Sequence, residues 1–265
     1  MTKTEPGYTL LPFPNERRLM AEGGRLGRQR HTVHGLTELD VTHARQLIRT
    51  HKERSSETLS FTAFIAACLG QAVESDKTLH ACRDWRGRLV IFDDVDVSVL
   101  FEVEVDGRPM IRPHILRAVN RRTVRQLHDE IRAFQTQHQS SQESQFLTWF
   151  MRLPGFLMRW LLWGLFKMPH LLKQYYGTVM LTSVGMFGHG AVWGIPQSND
   201  TLQIVLGGIA QKPAWVDGQV QPREYLSVTL SFDHDIVDGA PAARFTQRLR
   251  ELIESGYGLE GLATP

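Results

Sequence analysis

The sequence predicts an α/β fold in a single domain, on three observations. Strand-like and helix-like segments interleave along all 265 residues, with no internal repeat and no linker to divide them. At roughly 150 residues per domain, the length fits one large domain. Hydrophobic residues make up 42% and charged residues 22%, ordinary globular composition that excludes disordered, collagen-like and low-complexity readings.

Residues 1–30 are rich in Pro, Gly and Arg (Pro6, Pro12, Pro14, Gly23, Gly24, Gly27) and read as an extended arm with at most a short helix over 15–21. Residues 31–40 hold β-formers in partial alternation and end where either Asp40 or Thr42 can cap a helix over 42–52. A second helix runs from Ser60 to about Glu74, apolar on nearly every side and therefore buried. Strands follow at 88–92, 96–105 and 110–116, the last two joined by a turn at Asp106 and Gly107. Val124, Leu127, Ile131 and Phe134 mark an amphipathic helix over 123–137. Beyond Gly177 come strands at 178–183, 203–207 and 226–232, a hairpin turn at Trp215-Val216-Asp217-Gly218, and a closing helix over 240–254.

The stretch 140–176 differs in kind. Ser140 to Glu143 can cap a helix whose apolar positions Phe146, Trp149, Phe150, Leu153, Leu157, Trp160, Leu161, Leu165 and Met168 recur at three and four. Arg152, Arg159 and Lys167 lie opposite, and Pro154-Gly155 kinks or splits the helix. Its longest uncharged run, Trp160 to Phe166, is seven residues, far short of the ~20 that span a bilayer. Core packing or a subunit contact is the favoured reading, with contact through 146–172 to a membrane interface as the second.

The 30 Lys and Arg against 28 Asp and Glu leave a net charge of +2, too little for nucleic-acid binding by bulk charge. Cys68 and Cys82 show no metal-ligand spacing and read as reduced structural thiols, so no metal is expected. Residues 1–14 lack the apolar core of a secretory signal, and the expected location is cytoplasmic.

The chemistry concentrates in Leu230-Ser-Phe-Asp-His234-Asp-Ile-Val-Asp238-Gly239, where a β-rich segment ends at His234 and Asp-Gly follows four residues later, before a helix. A histidine so placed is a candidate general base, although a lone histidine is more often a hydrogen-bonded surface or core residue.

HxxxDG within SFDHDIVDGAPAARF closely resembles the active-site signature of the dihydrolipoamide acyltransferase (E2) components of 2-oxo acid dehydrogenase complexes, and its core is shared with chloramphenicol acetyltransferases. Leu181-Thr182-Ser183-Val184-Gly185-Met186-Phe187-Gly188 is similar to that family's TISNLGMFG strand and turn, and Gln203-Ile-Val-Leu-Gly207-Gly208 to its AILGVG strand. Matching segments over about 30–138 and 177–256 keep the family's order. The resemblance implies a chloramphenicol acetyltransferase-like two-layer sandwich with a mixed β-sheet. It also implies a catalytic domain over 31–256 with a helical insertion at 140–176 and a tail over 257–265.

The implied activity is direct acyl transfer between a coenzyme A thioester and a lipoyl-like thiol or other small acceptor. His234 would be the general base, Thr182 the oxyanion donor with Ser183 competing, and Asp238 a carboxylate that holds the loop. Among arginines, Arg17, Arg18, Arg28 and Arg30 are the candidates for Asp238's partner. The implied assembly is a homotrimer or larger, with the histidine from one chain and the hydroxyl from the next. No residues for coenzyme A are assigned, and no lipoyl-attachment Asp-Lys-Ala occurs, so a lipoyl or acyl carrier domain would act in trans. Asp235 stands where the family usually has arginine, which implies a different substrate preference. The alternatives are a non-catalytic E2-like trimeric scaffold and a chloramphenicol-type O-acetyltransferase.

Overall fold

The computed structural model describes residues 3–5, 7–11, 13–105, 108–137, 153–185 and 190–263. The Asp106-Gly107 turn, the helix start at 140–143, Phe146, Trp149, Phe150, Arg152, and Met186 to Gly188 of the second motif lie outside them. A hairpin of β1 (Lys3–Glu5) and β2 (Tyr8–Leu10) precedes helix α1 (Asn15–Gly27). There follow β3 (Thr32–Asp40), α2 (Thr42–Ser55), α3 (Phe61–Glu74) and a small hairpin of β4 (Cys82–Arg83) and β5 (Leu89–Val90). Next come β6 (Val97–Val105), β7 (Arg108–Leu116), α4 (Val124–Gln137), α5 (Gly155–Phe166) and α6 (Pro169–Tyr176). The chain ends with β8 (Val179–Ser183), β9 (Leu202–Val216), β10 (Gln219–Asp233), α7 (Gly239–Glu254) and α8 (Glu260–Ala263).

Six strands form a mixed sheet in the order β3-β10-β9-β8-β6-β7. The β6–β8 and β8–β9 pairs are parallel, and the remaining pairs are antiparallel. One face carries Val97, Val99, Leu181, Ile204, Val228 and Leu230 into a core shared with α3, α4 and α7. Helix α3 is buried along most of its length because nearly every position is small or apolar, and Ser60 caps it by accepting from Ala63 N. At the α2 start it is Asp40, of the two cap candidates, whose Oδ1 accepts from Thr42 N at 2.9 Å.

Two differences from the sequence reading concern length. Strands β9 and β10 extend into a long ribbon through the turn at Asp217 and Gly218, both with positive φ (50° and 78°), the geometry that matches strand twist. Helix α1 runs to Gly27, past the glycines that argued against it. At Gly27 a Cβ would sit 2.7 Å from Asn199 Oδ1, so the residue that weakens the helix is the one that lets it seat against 197–199. The apolar stretch is also broken twice: Pro154 precedes α5 as foreseen, and Pro169 opens α6 at its first turn, where its missing N–H costs nothing.

Candidate active site

His234 follows the last residue of β10 and stands on a short loop into α7. Both its flanks are pinned. Asp233, buried on the sheet face away from the helices, accepts from Arg30 Nη1 at 2.5 Å and from Asp235 N at 3.2 Å. The Asp233 carbonyl also accepts from the amides of Ile236 and Val237. His234 N donates to His31 O at 2.9 Å, and His31 Nδ1 donates to Asp235 Oδ1 at 2.8 Å. That pairing raises the His31 pKa, through the hydrogen bond first and the opposite charge second, and lowers that of Asp235, through the hydrogen bond first and against its desolvation. The His234 ring itself is exposed and makes no hydrogen bond among the described residues. The loop is therefore fixed by its backbone and neighbours while the imidazole is free to meet a ligand.

Asp238 has an extended backbone (φ −77°, ψ 170°) at the start of α7, and its carbonyl accepts from Ala242 N. Its exposed carboxylate makes no hydrogen bond or ion pair among the described residues, and none of Arg17, Arg18, Arg28 and Arg30 is bonded to it. Arg30 serves Asp233 instead, so the acid that holds the loop precedes His234. The alternation Ser227, Thr229, Ser231, Asp233 along β10 is the signal that could have found it, because all four are buried.

Thr182 sits on β8 in the row Thr182–Val205–Thr229, on the same sheet face as Asp233, while Ser183 pairs with Leu206 and lies in the row facing the helices. From that row His234 is two strand spacings across and five residues along. At about 4.8 Å and 3.3 Å each, this is on the order of 20 Å. One chain does not bring the two residues together.

The turn after β8 is set by close backbone approach. A Cβ on Gly185 would overlap the Gly207 carbonyl, and one on Gly207 would overlap that of Val192. Only glycine permits the segment to lie this close to β9.

A cleft of about 140 Å³ adjoins the His234 loop, with Arg30, Cys82, Arg83, Trp163 and Lys167 among its walls beside Asp233 and Asp235. Burial pushes the Cys82 thiol up to about 12, and the Cys68 thiol higher, so neither is a thiolate nucleophile at neutral pH. Burial also raises the Asp200 carboxyl to about 7, against the pull of Arg30. Glu57, His128 and Asp129 cluster like metal ligands elsewhere, but Arg125 binds both carboxylates, and His128 Nδ1 accepts from Ser60 N. That cluster is neutralised by the chain's own groups.

Residues 173–259 match the family model described as 2-oxoacid dehydrogenases acyltransferase (catalytic domain). The dihydrolipoyllysine-residue succinyltransferase component of the 2-oxoglutarate dehydrogenase complex of Saccharomyces cerevisiae is 35% identical over 80 residues, 29% of this chain and 17% of that protein. The match thus spans under a fifth of that relative's length. A probable dihydrolipoamide acetyltransferase from Listeria monocytogenes superposes with a TM-score of 0.72 at 17% identity, covering 95% of this chain and 96% of that one. A chloramphenicol acetyltransferase superposes at 0.53, with 13% identity over 91% and 98% of the two chains. The fold is the two-layer sandwich with a mixed sheet shared by acyltransferase catalytic cores and chloramphenicol acetyltransferase.

Proposed function

We propose that this chain, with the family's catalytic-domain match over 173–259 and the fold of its cores, is an acyltransferase that moves an acyl group between a coenzyme A thioester and a thiol. The carrying observation is the exposed, unbonded imidazole of His234 on a loop clamped by Arg30–Asp233 and His31–Asp235. In the forward direction His234 accepts the acceptor thiol's proton as the thiolate attacks the thioester carbonyl. A carbon–sulfur bond forms, and the carbonyl oxygen becomes an oxyanion held by the Thr182 hydroxyl, a donor of the type worth about 2.7–4 kcal/mol in other enzymes. Collapse breaks the bond to coenzyme A, whose sulfur takes the proton back from the imidazolium. No acyl-enzyme forms, in keeping with the two protonated cysteines. Arg83 lines the cleft beside Asp235, and its guanidinium makes no hydrogen bond or ion pair among the described residues. It suits an anionic donor such as the phosphates of coenzyme A.

Because Thr182 and His234 are on the order of 20 Å apart in one chain, the reading requires a second copy to complete each site, as in a closed trimer. The test follows loss of acyl-CoA and gain of acylated acceptor for dihydrolipoamide, amine and alcohol acceptors. Turnover by the protein and its absence in His234→Ala support the transferase; equal background from both favours a scaffold. Turnover on alcohols but not thiols favours the chloramphenicol type. Co-assembly of His234→Ala with Thr182→Ala, each inactive alone, should restore about a quarter of the activity if sites form between copies at random.

A further inference from the structure

We propose that the exposed face of α5 and α6, together with the β4–β5 hairpin, docks on an anionic lipid bilayer. The inference is independent of the transferase reading. From residue 144 to 199 the chain has no Asp or Glu, while Arg152, Arg159, Lys167 and Lys173 all fall within that span. On α5 the inner face packs Met158 against the protein. Phe156, Trp160 and Trp163, at i, i+4 and i+7, point outward and are 70%, 65% and 47% exposed. Helix α6 repeats the pattern, with Pro169 and Leu172 buried and Met168, Leu171 and Tyr175 exposed.

These side chains form one surface. Phe156, Trp160 and Trp163 line a groove with Leu26 of α1. Trp163 and Lys167 line the cleft beside the His234 loop, and Lys167, Met168 and Leu171 line a further groove with Trp85 and Arg88 of the hairpin. Trp85 is 64% exposed and carries the Arg86 guanidinium 4.5 Å above its ring.

Two acids that reach these elements are already paired. Glu22 binds Arg25 and Arg159, and Asp84 binds Arg88 and the amides of Arg86 and Arg88. The Lys167 ammonium makes no hydrogen bond or ion pair among the described residues. Exposed tryptophans beside unpaired or exposed cations fit a headgroup boundary, where indole rings sit at the interface and Lys and Arg meet anionic lipid. At 1.5 Å per residue, the 12 residues of α5 reach about 18 Å, so the helix lies in the interface rather than crossing it. No described helix is long and apolar enough to cross a membrane.

Flotation of the full chain with phosphatidylcholine vesicles, with and without phosphatidylglycerol, tests this. Binding should require phosphatidylglycerol, weaken with salt as screening shortens the charge range, and blue-shift tryptophan emission. Phe156→Ser/Trp160→Ser and Lys167→Glu should each lower partitioning at least about tenfold, with the melting temperature unchanged. Absence of binding to anionic vesicles, or equal binding by these variants, overturns the proposal. So does a drop in light-scattering mass in the double variant, which would assign the face to a contact between copies.

Discussion

Leu230 on β10 and Trp160 on α5 are both large apolar side chains, yet the first is 1% exposed and the second 65%. Around Leu230 every strand position is placed by register: β10 is paired on both sides, with β3 and β9, and its apolar residues meet the helices. Around Trp160 only one stripe of the helix finds protein to touch. The helix-covered part of the sheet around Leu230 is buried, whereas α5–α6 holds more apolar surface than this chain covers. The excess is the face that the proposed bilayer contact would cover.

The largest expected effect lies in the first region and concerns chemistry alone. His234→Ala should lower transfer by about 10²–10⁴-fold, the usual worth of a positioned acid–base group. Its melting temperature should stay within experimental error, because the ring supports nothing among the described residues. A large thermal shift would contradict a loop held by Asp233 and Asp235.

Leu230→Ala should cost about 2–5 kcal/mol in urea unfolding, the range for emptying a close-packed site. A cost below 1 kcal/mol would mean that the sheet region is no better packed than α5.

A subtler test uses buried charge. Asp200 is held near 7 by burial against an ordinary value of about 3.9, so the folded state binds its proton more tightly. Its contribution is full below about pH 4, falls as pH rises and is gone above about 7. Burial drives His80 the other way, down to about 4. Its contribution is lost as pH falls from about 6.5 toward 4. The two slopes oppose each other over that window. Asp200→Asn should leave the His80 slope, with stability rising with pH by up to about 1.4 kcal/mol per unit relative to wild type. Parallel stability curves for the two proteins would remove Asp200 as a titrating group.

The smallest effect belongs to the second region. Trp160→Ser should change folding stability by no more than about 0.5 kcal/mol, as surface substitutions usually do. A loss of several kcal/mol would show that α5 is core after all and erase the contrast with Leu230.

Legibility followed the same division. Strands β6 and β8, helices α3, α4 and α7, and the His234 motif could be read because period-two or period-3.6 patterning is local. The long helix α1 could not, since its glycines make sense only against Asn199. Nor could the Arg30–Asp233 and His31–Asp235 clamps, whose partners are 203 and 204 residues apart. For 140–176, pattern showed an amphipathic helix and foresaw the break at Pro154, but exposure decides whether such a face is core.

By itself, then, the sequence determined the α/β class, the order of its main elements and the segment that carries the candidate base, because these depend on side-chain periodicity and short motifs. Tertiary structure alone decided two further matters: that Arg30 pairs with Asp233 and not with Asp238, and that Trp85, Trp160 and Trp163 stay exposed. Each is a distance or an exposure set by how strands and helices pack, and residues remote in sequence acquire those relations only when the sheet closes.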